Sequence, residues 1–163
     1  STGGAGEIGH VSIDYEGPLD RYGVAGAIEA YIGSNFLSHH ARYQLLNKTE
    51  SKVHEMADVE LQELTPKMLY DAAEQGDLPA REVLAWAGHK LGQMLGSAIN
   101  LLDIRKIVVG GGMSKAGDFI LEPARKTMHE AVMVGMKEDV ELVRETLGNE
   151  AGMLGAARLV FQP

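Results

Sequence analysis

The sequence has 163 residues, 45% of them hydrophobic, and a formal net charge of −8 at pH 7. A chain of this length can bury one hydrophobic core, and an acidic surface offers no electrostatic attraction to nucleic acid or anionic lipid. There is no cysteine for a disulfide or a thiolate metal site, and no apolar run reaches the roughly 18 residues of a membrane span. We therefore expect one cytoplasmic domain over residues 1–163 that contacts neither nucleic acid nor a membrane.

Two hydrophobic patterns occur near the start of the chain. Residues 10–18, HVSIDYEGP, alternate apolar and polar side chains and then reach a Gly-Pro pair, so they predict a strand followed by a break. Apolar residues recur at helical spacing across residues 24–46, which predicts one helix, or two short helices broken near Gly33. Residues 47–63 are polar and weakly periodic, and we expect them to form an exposed excursion.

Proline marks the start of two further predicted helices. Thr65 opens a short helix with Pro66 at its first position, and that helix ends at Gly76. Asp77 is a suitable N-cap for the next helix, which is the longest periodic segment and the expected core of the domain. Its apolar stripe comprises Val83, Leu84, Ala87, Leu91, Met94, Leu95, Ala98, Ile99 and Leu102.

Strands alternate with helices in the second half of the chain. Residues 106–112, KIVVGGG, form a short β-branched run that ends in three glycines, which predicts a buried strand and a sharp turn. Residues 116–133 predict a helix, residues 140–146 a strand and residues 149–161 a closing helix. This alternation indicates an α/β layered fold.

The glycines after the predicted strand, in the segment IVVGGGMS, form a candidate ligand loop. Glycine lets the backbone approach a flat or anionic ligand closely, and ligands of open α/β sheets bind at the carboxyl ends of strands. No Gly-Lys-Ser/Thr follows, so the segment is not a P-loop, and it is not a full GxGxxG fingerprint either. A tight strand-to-helix turn without a ligand is the alternative.

Three side chains in the first 30 residues suit a polar ring. A carboxylate accepts hydrogen bonds from two hydroxyls and a histidine can donate or accept, so Glu7, His10 and Glu29 together could bind a sugar. The alternative is a solvated helix charge for Glu29 and a structural role for His10, because sequence spacing does not establish convergence.

The other histidines and the tryptophan have simpler interpretations. His39 and His40 point about 100° apart on a helix, which makes a poor metal pair, and we interpret both as surface residues. Trp86 lies beside the apolar stripe of the long helix and is interpreted as a core residue.

Six motifs follow one another along the chain, each of them a weak signal alone. They are GAGEIGH, YGVAGAIEAY, AAEQGDLPA, LGQMLGSAINLLD, KIVVGGGMS and LGNEAGMLGAARL. In this order and with these gaps they resemble the C-terminal half of the ROK family of sugar kinases and sugar-responsive repressors. The resemblance extends across essentially all 163 residues.

The resemblance implies the C-terminal lobe of an actin-like ATPase fold, an α/β lobe with a helical excursion, and a cleft that holds ATP between two lobes. It assigns sugar contacts to three side chains: Glu7, His10 and Glu29. It assigns contacts with the adenosine part of the nucleotide to three glycines: Gly110, Gly111 and Gly112. The glycines of GAGEIGH would then let the backbone wrap a small polar ring.

One departure from the family concerns zinc. Family members often carry CxCGxxGCxE, whose cysteines join the motif histidine in binding a structural zinc. Residues 20–29 read DRYGVAGAIE, so the cysteine positions hold Asp20, Tyr22 and Ala27. Only His10, and at most Asp20, remain of the tetrahedral ligand set. We predict that the protein holds no zinc and that packing around Tyr22 and Ala27 holds the loop instead.

A second departure concerns catalysis. Family kinases carry an upstream lobe with a DxGxT phosphate-binding segment, a catalytic aspartate and a GTGxG loop, and residues 1–163 contain none of these motifs. Asp14, Asp71 and Asp77 lie in other contexts. Phosphoryl transfer needs Mg²⁺, phosphate positioning and a base. We therefore assign no catalytic residue and no metal ligand here, and expect an N-terminal phosphate-binding lobe in cis or as a second chain.

The favoured interpretation is part of an ATP- and Mg²⁺-dependent hexose kinase, glucokinase-like, that phosphorylates a sugar 6-hydroxyl. The resemblance also favours a homodimer. Two alternatives stay open. The chain could be the sugar-sensing module of a ROK-type transcriptional regulator, whose DNA-binding helix-turn-helix would lie upstream. It could also be a structural dimerisation lobe with a vestigial pocket.

Overall fold

The computed structural model of the protein describes residues 6–161, apart from the side chain of Asn149. Within this part, the helices are α1 (Glu29–Ile32), α2 (Ser34–Leu45), α3 (Val53–Met56), α4 (Pro66–Glu74), α5 (Leu78–Leu102), α6 (Gly111–Ser114), α7 (Asp118–Ala131) and α8 (Ala151–Val160). The strands are β1 (Lys106–Val109) and β2 (Glu141–Arg144). Short 3₁₀ turns lie at Ile8–His10, Val134–Met136 and Gly148–Glu150.

The central helix of the core is α5, as its apolar stripe predicts. Asp77 caps it, because Oδ1 of Asp77 accepts a hydrogen bond from the Ala80 amide at 2.7 Å. The helix ends at Asp103, which adopts a left-handed backbone with φ of 53°. Most of the predicted stripe is buried, but Leu102 at its end is 61% exposed. In residues 6–161, no helix is both long and apolar enough to cross a lipid bilayer.

Helix α7 packs closely along α5 because three glycines face it. A Cβ added at Gly88 would lie 2.3 Å from the Ile120 carbonyl oxygen, and one at Gly92 would lie 2.4 Å from that of Ala124. These distances are far shorter than van der Waals contact. The glycines, with Gly96 one turn further along, therefore let the two helix backbones approach to a separation that alanine would prevent.

The two strands form a parallel pair joined by α6 and α7. Lys106 pairs with Glu141 and Val109 with Arg144. The predicted strand therefore exists, but the expectation that it is buried is wrong. Ile107 and Val109 pack against the core, whereas Val108 between them is 59% exposed. Side chains of a strand alternate between faces, and the helices of this lobe cover one face of the pair.

The excursion in residues 47–63 is less exposed than its polar composition predicts. Ser51, Val53 and Leu61 are buried, and α3 forms within the segment. The buried Asp77 anchors it, because Oδ2 accepts hydrogen bonds from the Ser51 hydroxyl at 2.9 Å and from the Lys52 amide. Composition does not reveal this anchor, which lies about 25 residues along the chain.

The predicted strand in residues 10–18 is wrong. The segment instead makes isolated antiparallel contacts, Ser12 with Ala27 and Leu19 with Ala25, around a tight turn. A Cβ at Gly26 would lie 1.6 Å from the Asp14 carbonyl oxygen, so the two backbones are too close for a regular ladder with side chains. The predicted helices of residues 24–46 form as two, α1 and α2, broken at Gly33.

The remaining predicted helices and the second strand are confirmed. Helix α4 begins after Thr65, whose hydroxyl accepts from the Met68 amide at 3.3 Å. Helix α8 closes the described chain, and its side chains are exposed apart from that of Ala151. Several of them are large and apolar: Met153, Leu154, Leu159 and Val160.

Candidate functional site

His10 and Asp20 form a close side-chain pair in the first loop. The distance between His10 Nδ1 and Asp20 Oδ2 is 2.7 Å. The Asp20 side chain has no solvent exposure, whereas 27% of the His10 side chain is exposed. The pair therefore attaches the accessible histidine ring to a buried carboxylate.

Backbone hydrogen bonds hold Asp20 in turn. Oδ1 of Asp20 accepts from the amides of Tyr22 at 2.8 Å and Val24 at 2.9 Å. The Asp20 amide donates to the Val24 carbonyl at 3.1 Å, and Gly23 adopts φ of +83° between them. Residues 20–24 thus form a closed turn built around one carboxylate.

The environment of Asp20 favours its charged form. Burial by itself would raise the pKa of the Asp20 carboxyl, but hydrogen bonds from the Val24 amide, His10 and the Tyr22 amide outweigh it, and the pKa is lowered from its ordinary value. The carboxylate oxygens therefore act as hydrogen-bond acceptors only.

The loop that replaces the cysteine motif is held mainly by Asp20. Ala27 is buried, as expected, and the Tyr22 ring contacts the His10 ring edge-on with centroids 4.8 Å apart. Tyr22 itself is 64% exposed, so its packing is only part of the explanation. Within residues 6–161 no group of three or more His, Cys, Asp or Glu side chains is arranged to hold a metal ion. The absence of zinc stays a prediction.

Glu29 begins α1 and lies beside the segment that contains His10. The Ile28 amide donates to the Val11 carbonyl at 3.0 Å, so the residue before Glu29 contacts the residue after His10. A Cβ at Gly9 would lie 3.8 Å from Oε2 of Glu29, and one at Gly33 would lie 2.4 Å from Oε1. Gly33 therefore makes room for the Glu29 carboxylate, whereas a Cβ at Gly9 would be in ordinary van der Waals contact with it.

Glu7 precedes His10 by one 3₁₀ turn. The His10 amide donates to the Glu7 carbonyl at 3.1 Å, and the Glu7 side chain is exposed. The first two residues of the GAGEIGH motif lie outside the described residues. The structure therefore brings His10, Glu29 and the backbone of Glu7 to one region.

A cavity of about 900 Å³ connects Glu29 with the glycine loop. Gly112 and Met113 line it at one side and Glu29 with Gly33 at another. Residues of α1, α2, α4, α5 and α7 and of the segment after α6 form the rest of its lining. Of the six predicted site residues, Glu29 and Gly112 line this cavity, while the other four lie outside its lining.

The glycine loop turns directly from β1 into α6. Gly111 adopts φ of +71°, which favours glycine, and a Cβ at Gly110 would lie 3.1 Å from Cγ of Glu145. A Cβ at Gly112 would meet no atom within 4 Å, so this glycine faces open space at the cavity. Close approach of a ligand is therefore possible at Gly112.

Several cavity residues were not predicted from the sequence. Lys67, Tyr70 and Asp71 of α4 line it, as does Lys115 after the glycine loop. Lys67 Nζ and Asp71 Oδ2 are 2.5 Å apart in an exposed i,i+4 pair. Sequence spacing does indicate that these α4 residues share a helix face, but nothing in the sequence indicates that this face is opposite Glu29. A second, shallower depression of about 580 Å³ between α7 and β2 contains none of the predicted residues.

Comparison with known proteins gives a consistent result. A family model described as ROK family matches residues 1–162. The glucokinase of Halalkalibacterium halodurans is 34% identical over 164 residues, which cover 99% of this chain and 49% of the glucokinase. The DNA-binding transcriptional repressor Mlc of Escherichia coli is 26% identical over 151 residues, which cover 93% of this chain and 36% of the repressor.

A solved structure agrees with these matches. The crystal structure of a ROK family glucokinase from Streptomyces griseus in complex with glucose and AMPPNP superposes with a TM-score of 0.83 at 28% identity, over 95% of this chain and 51% of that one. The expected fold class, an α/β lobe of the actin-like ATPase type, is thereby confirmed. The chain spans about half the length of the glucokinases it matches.

Proposed function

The chain belongs to the ROK family, and from this premise we propose that it is the sugar- and nucleotide-binding lobe of an ATP-dependent hexose kinase, glucokinase-like. The reaction would transfer the terminal phosphoryl group of ATP to the 6-hydroxyl of a hexose. The observation that carries the proposal is the cavity that Glu29 shares with Gly112. The similar Streptomyces griseus enzyme, solved with glucose and AMPPNP, supports it.

In this proposal, three side chains bind the sugar: Glu7, His10 and Glu29. A carboxylate is a strong acceptor for sugar hydroxyls, and its bonds are charge-assisted. Gly33 leaves space for the Glu29 carboxylate, because a Cβ there would lie 2.4 Å from Oε1.

The nucleotide would lie against the glycine loop. The proposed adenosine contacts are the three glycines of the loop: Gly110, Gly111 and Gly112. The open space at Gly112 and the apolar wall from Met113 and Ala116 fit a flat ring. ATP supplies the transferred phosphoryl group, and Mg²⁺ accompanies its phosphates. The proposal assigns no metal ligand to this lobe, and the metal would be held by the phosphates and by groups outside it.

The base that takes the proton of the sugar hydroxyl is not assigned to this lobe. We propose that an N-terminal phosphate-binding lobe, in cis or as a second chain, supplies it together with the phosphate contacts. The single-lobe organisation of residues 1–163, the homodimer and the cytoplasmic location remain part of the same proposal.

A binding measurement with a matched variant tests this function. We expect the intact protein to bind a hexose, and Glu29→Gln to weaken that binding about tenfold or more, since the charge-assisted bonds are lost. Glu130→Gln on α7 is the control, because Glu130 is exposed and does not line the cavity. Calorimetric titration with glucose, mannose and N-acetylglucosamine measures the change. Equal affinities of Glu29→Gln and the unmodified protein would refute the sugar site and favour the dimerisation lobe.

The similarity to Mlc supports a second candidate, the sugar-sensing module of a transcriptional regulator. Both candidates use the same sugar pocket, so the sugar titration does not separate them. Nucleotide binding does separate the two candidates, because a kinase lobe is expected to bind AMPPNP more tightly when hexose is present. A regulator lobe is expected to bind hexose with no contribution from the nucleotide.

A further inference from the structure

We infer that Asp20 is a positioning residue that determines which nitrogen of His10 carries the proton, so that Nε2 accepts a hydrogen bond from a donating sugar hydroxyl. This inference rests on the proposed sugar site. It assigns a role to Asp20, which is not one of the three proposed sugar contacts. It also states which kind of hydroxyl His10 can recognise.

The geometry around Asp20 requires a proton on Nδ1 of His10. Oδ1 already accepts from two amides, those of Tyr22 and Val24, at 2.8 and 2.9 Å. Oδ2 lies 2.7 Å from Nδ1 of His10. Both oxygens of the buried carboxylate are acceptors, so the proton between Oδ2 and the ring must be on Nδ1.

The second ring nitrogen is then the one left for a ligand. In a neutral imidazole with Nδ1 protonated, Nε2 carries the lone pair and accepts. The ring cannot easily turn over, since Asp20 holds Nδ1 and Tyr22 contacts the ring edge-on at 4.8 Å. With 27% of its side chain exposed, His10 remains accessible.

This arrangement makes all three proposed sugar contacts acceptors. The Glu7 and Glu29 carboxylates can only accept, and His10 Nε2 accepts as well. A sugar hydroxyl has a single proton and can donate one hydrogen bond at a time. His10 would therefore recognise a hydroxyl that does not donate to either carboxylate, and a ligand must offer separate donors to all three groups.

Replacing Asp20 by asparagine inverts the proton pattern while keeping the turn. In Asp20→Asn, the amide oxygen can keep the two backbone bonds from Tyr22 and Val24. The NH₂ group then faces Nδ1 of His10 and donates to it, which moves the ring proton to Nε2. Asp14→Asn is the matched control in the same loop, because Asp14 Oδ2 accepts from the Tyr31 hydroxyl at 3.1 Å, whereas the His10 ring pairs with Asp20.

The first readout is the histidine tautomer, measured by two-bond ¹⁵N–¹H correlation spectra of the intact protein, with His10→Gln used for assignment. We expect Nδ1–H for His10 in the unmodified protein and in Asp14→Asn, and Nε2–H in Asp20→Asn. Nε2–H in the unmodified protein would overturn the inference, and so would an unchanged tautomer in Asp20→Asn. If Asp20→Asn does not fold, the spectrum of the unmodified protein still decides the matter.

The second readout is affinity for singly deoxyfluorinated hexoses, in which fluorine accepts weakly and cannot donate. At one ring position, we expect fluorination to weaken binding about tenfold in the unmodified protein, and about threefold or less in Asp20→Asn, where Nε2–H can donate. At the other ring positions, we expect fluorination to weaken binding equally in the unmodified protein and in Asp20→Asn. In Asp14→Asn, we expect every ring position to behave as it does in the unmodified protein. If fluorination weakened binding by the same factor in all variants at every position, the inference would be overturned. Absence of any hexose binding would refute the proposed function, while the spectra would still report the tautomer.

Discussion

At the residue scale, His40 differs most from its sequence interpretation. It was expected at the surface, yet its ring stacks on Trp86 with centroids 3.6 Å apart and planes within 9°. Trp86 also contacts Tyr31, and Lys90 lies 4.5 Å from the Tyr31 ring centroid. Trp86 therefore packs against the core and serves as a stacking surface as well.

This stack predicts a pH dependence of stability. Burial, with the nearby Lys90 charge as a smaller contribution, lowers the pKa of His40 from its ordinary value. The unfolded chain takes up a proton near pH 6.5, but folded His40 resists protonation. The contribution of His40 to stability is therefore complete above about pH 6.5 and declines as the pH falls below it.

The measurement is the free energy of unfolding in urea at pH 7.5 and pH 5.5, followed by the fluorescence of Trp86, the single tryptophan. We expect the free energy of unfolding to fall less between pH 7.5 and pH 5.5 in His40→Gln than in the unmodified protein. His39→Gln is the control, since the neighbouring His39 is exposed. An equal decline in His40→Gln and in the unmodified protein would contradict the prediction.

At this scale, chemistry alone gives candidate side chains for sugar binding but leaves a structural role or a solvated charge open for them. Glu7, His10 and Glu29 are residue types that suit hydroxyl groups, and the family motif supports that choice. Their neighbours could not be chosen in the same way. Asp20 occupies a cysteine position of the family's zinc motif, and its role in holding His10 depends on a turn that closes through hydrogen bonds with Tyr22, Gly23 and Val24.

At the element scale, the contact between α5 and α7 is the main support of the core. Gly88, Gly92 and Gly96 recur every four residues and lie on one face of α5. From the sequence alone, these glycines are expected to destabilise the helix, because glycine has a low helix propensity. The structure gives the reason for them: the backbone of α7 occupies the space where their side chains would be.

We predict that Gly92→Ala destabilises the protein by about 1–3 kcal/mol, because the added Cβ would overlap the Ala124 carbonyl and a fixed backbone cannot yield easily. The control is Gly155→Ala in α8, where a Cβ would meet no atom within 4 Å. There, alanine is expected to stabilise the helix by up to about 1 kcal/mol. Urea unfolding of both variants of this chain measures the difference. A neutral or stabilising Gly92→Ala would show that α7 can move away at little cost.

At the scale of the whole molecule, the main feature is the cavity of about 900 Å³ between Glu29 and the glycine loop. Its lining includes the Glu29 carboxylate and Gly112 of the glycine loop, the groups that we propose contact the sugar and the nucleotide. The exposed apolar side chains of α8 and of Val108 lie on surfaces that the helices of this lobe do not cover. These features agree with a chain that spans about half the length of the similar glucokinases.

The 163-residue chain is therefore expected to bind hexose without phosphorylating it. Phosphorylation is checked in the presence of ATP, Mg²⁺ and glucose, by a coupled assay for ADP and by mass spectrometry of the sugar. Titration of the same sample with sugar checks binding. Formation of hexose 6-phosphate would mean that the base lies within this chain. Asp14, Asp71 and Asp77 would then be the residues to replace first.

The sequence by itself determined the helices with strong caps and periodicity, the strand-to-glycine turn, and the family with its candidate sugar residues. The helices and the turn depend on hydrogen bonds and side-chain spacing within a few residues, and the family is identified from six motifs in order along the chain, so a sequence displays both directly. The packed structure alone shows that Glu29 and Gly112 share a cavity, that Nδ1 of His10 lies 2.7 Å from Oδ2 of Asp20, that Asp77 anchors Ser51, and that Val108 is exposed. Each of these depends on which surfaces meet when the chain packs, because the partners are separated by ten residues or many more.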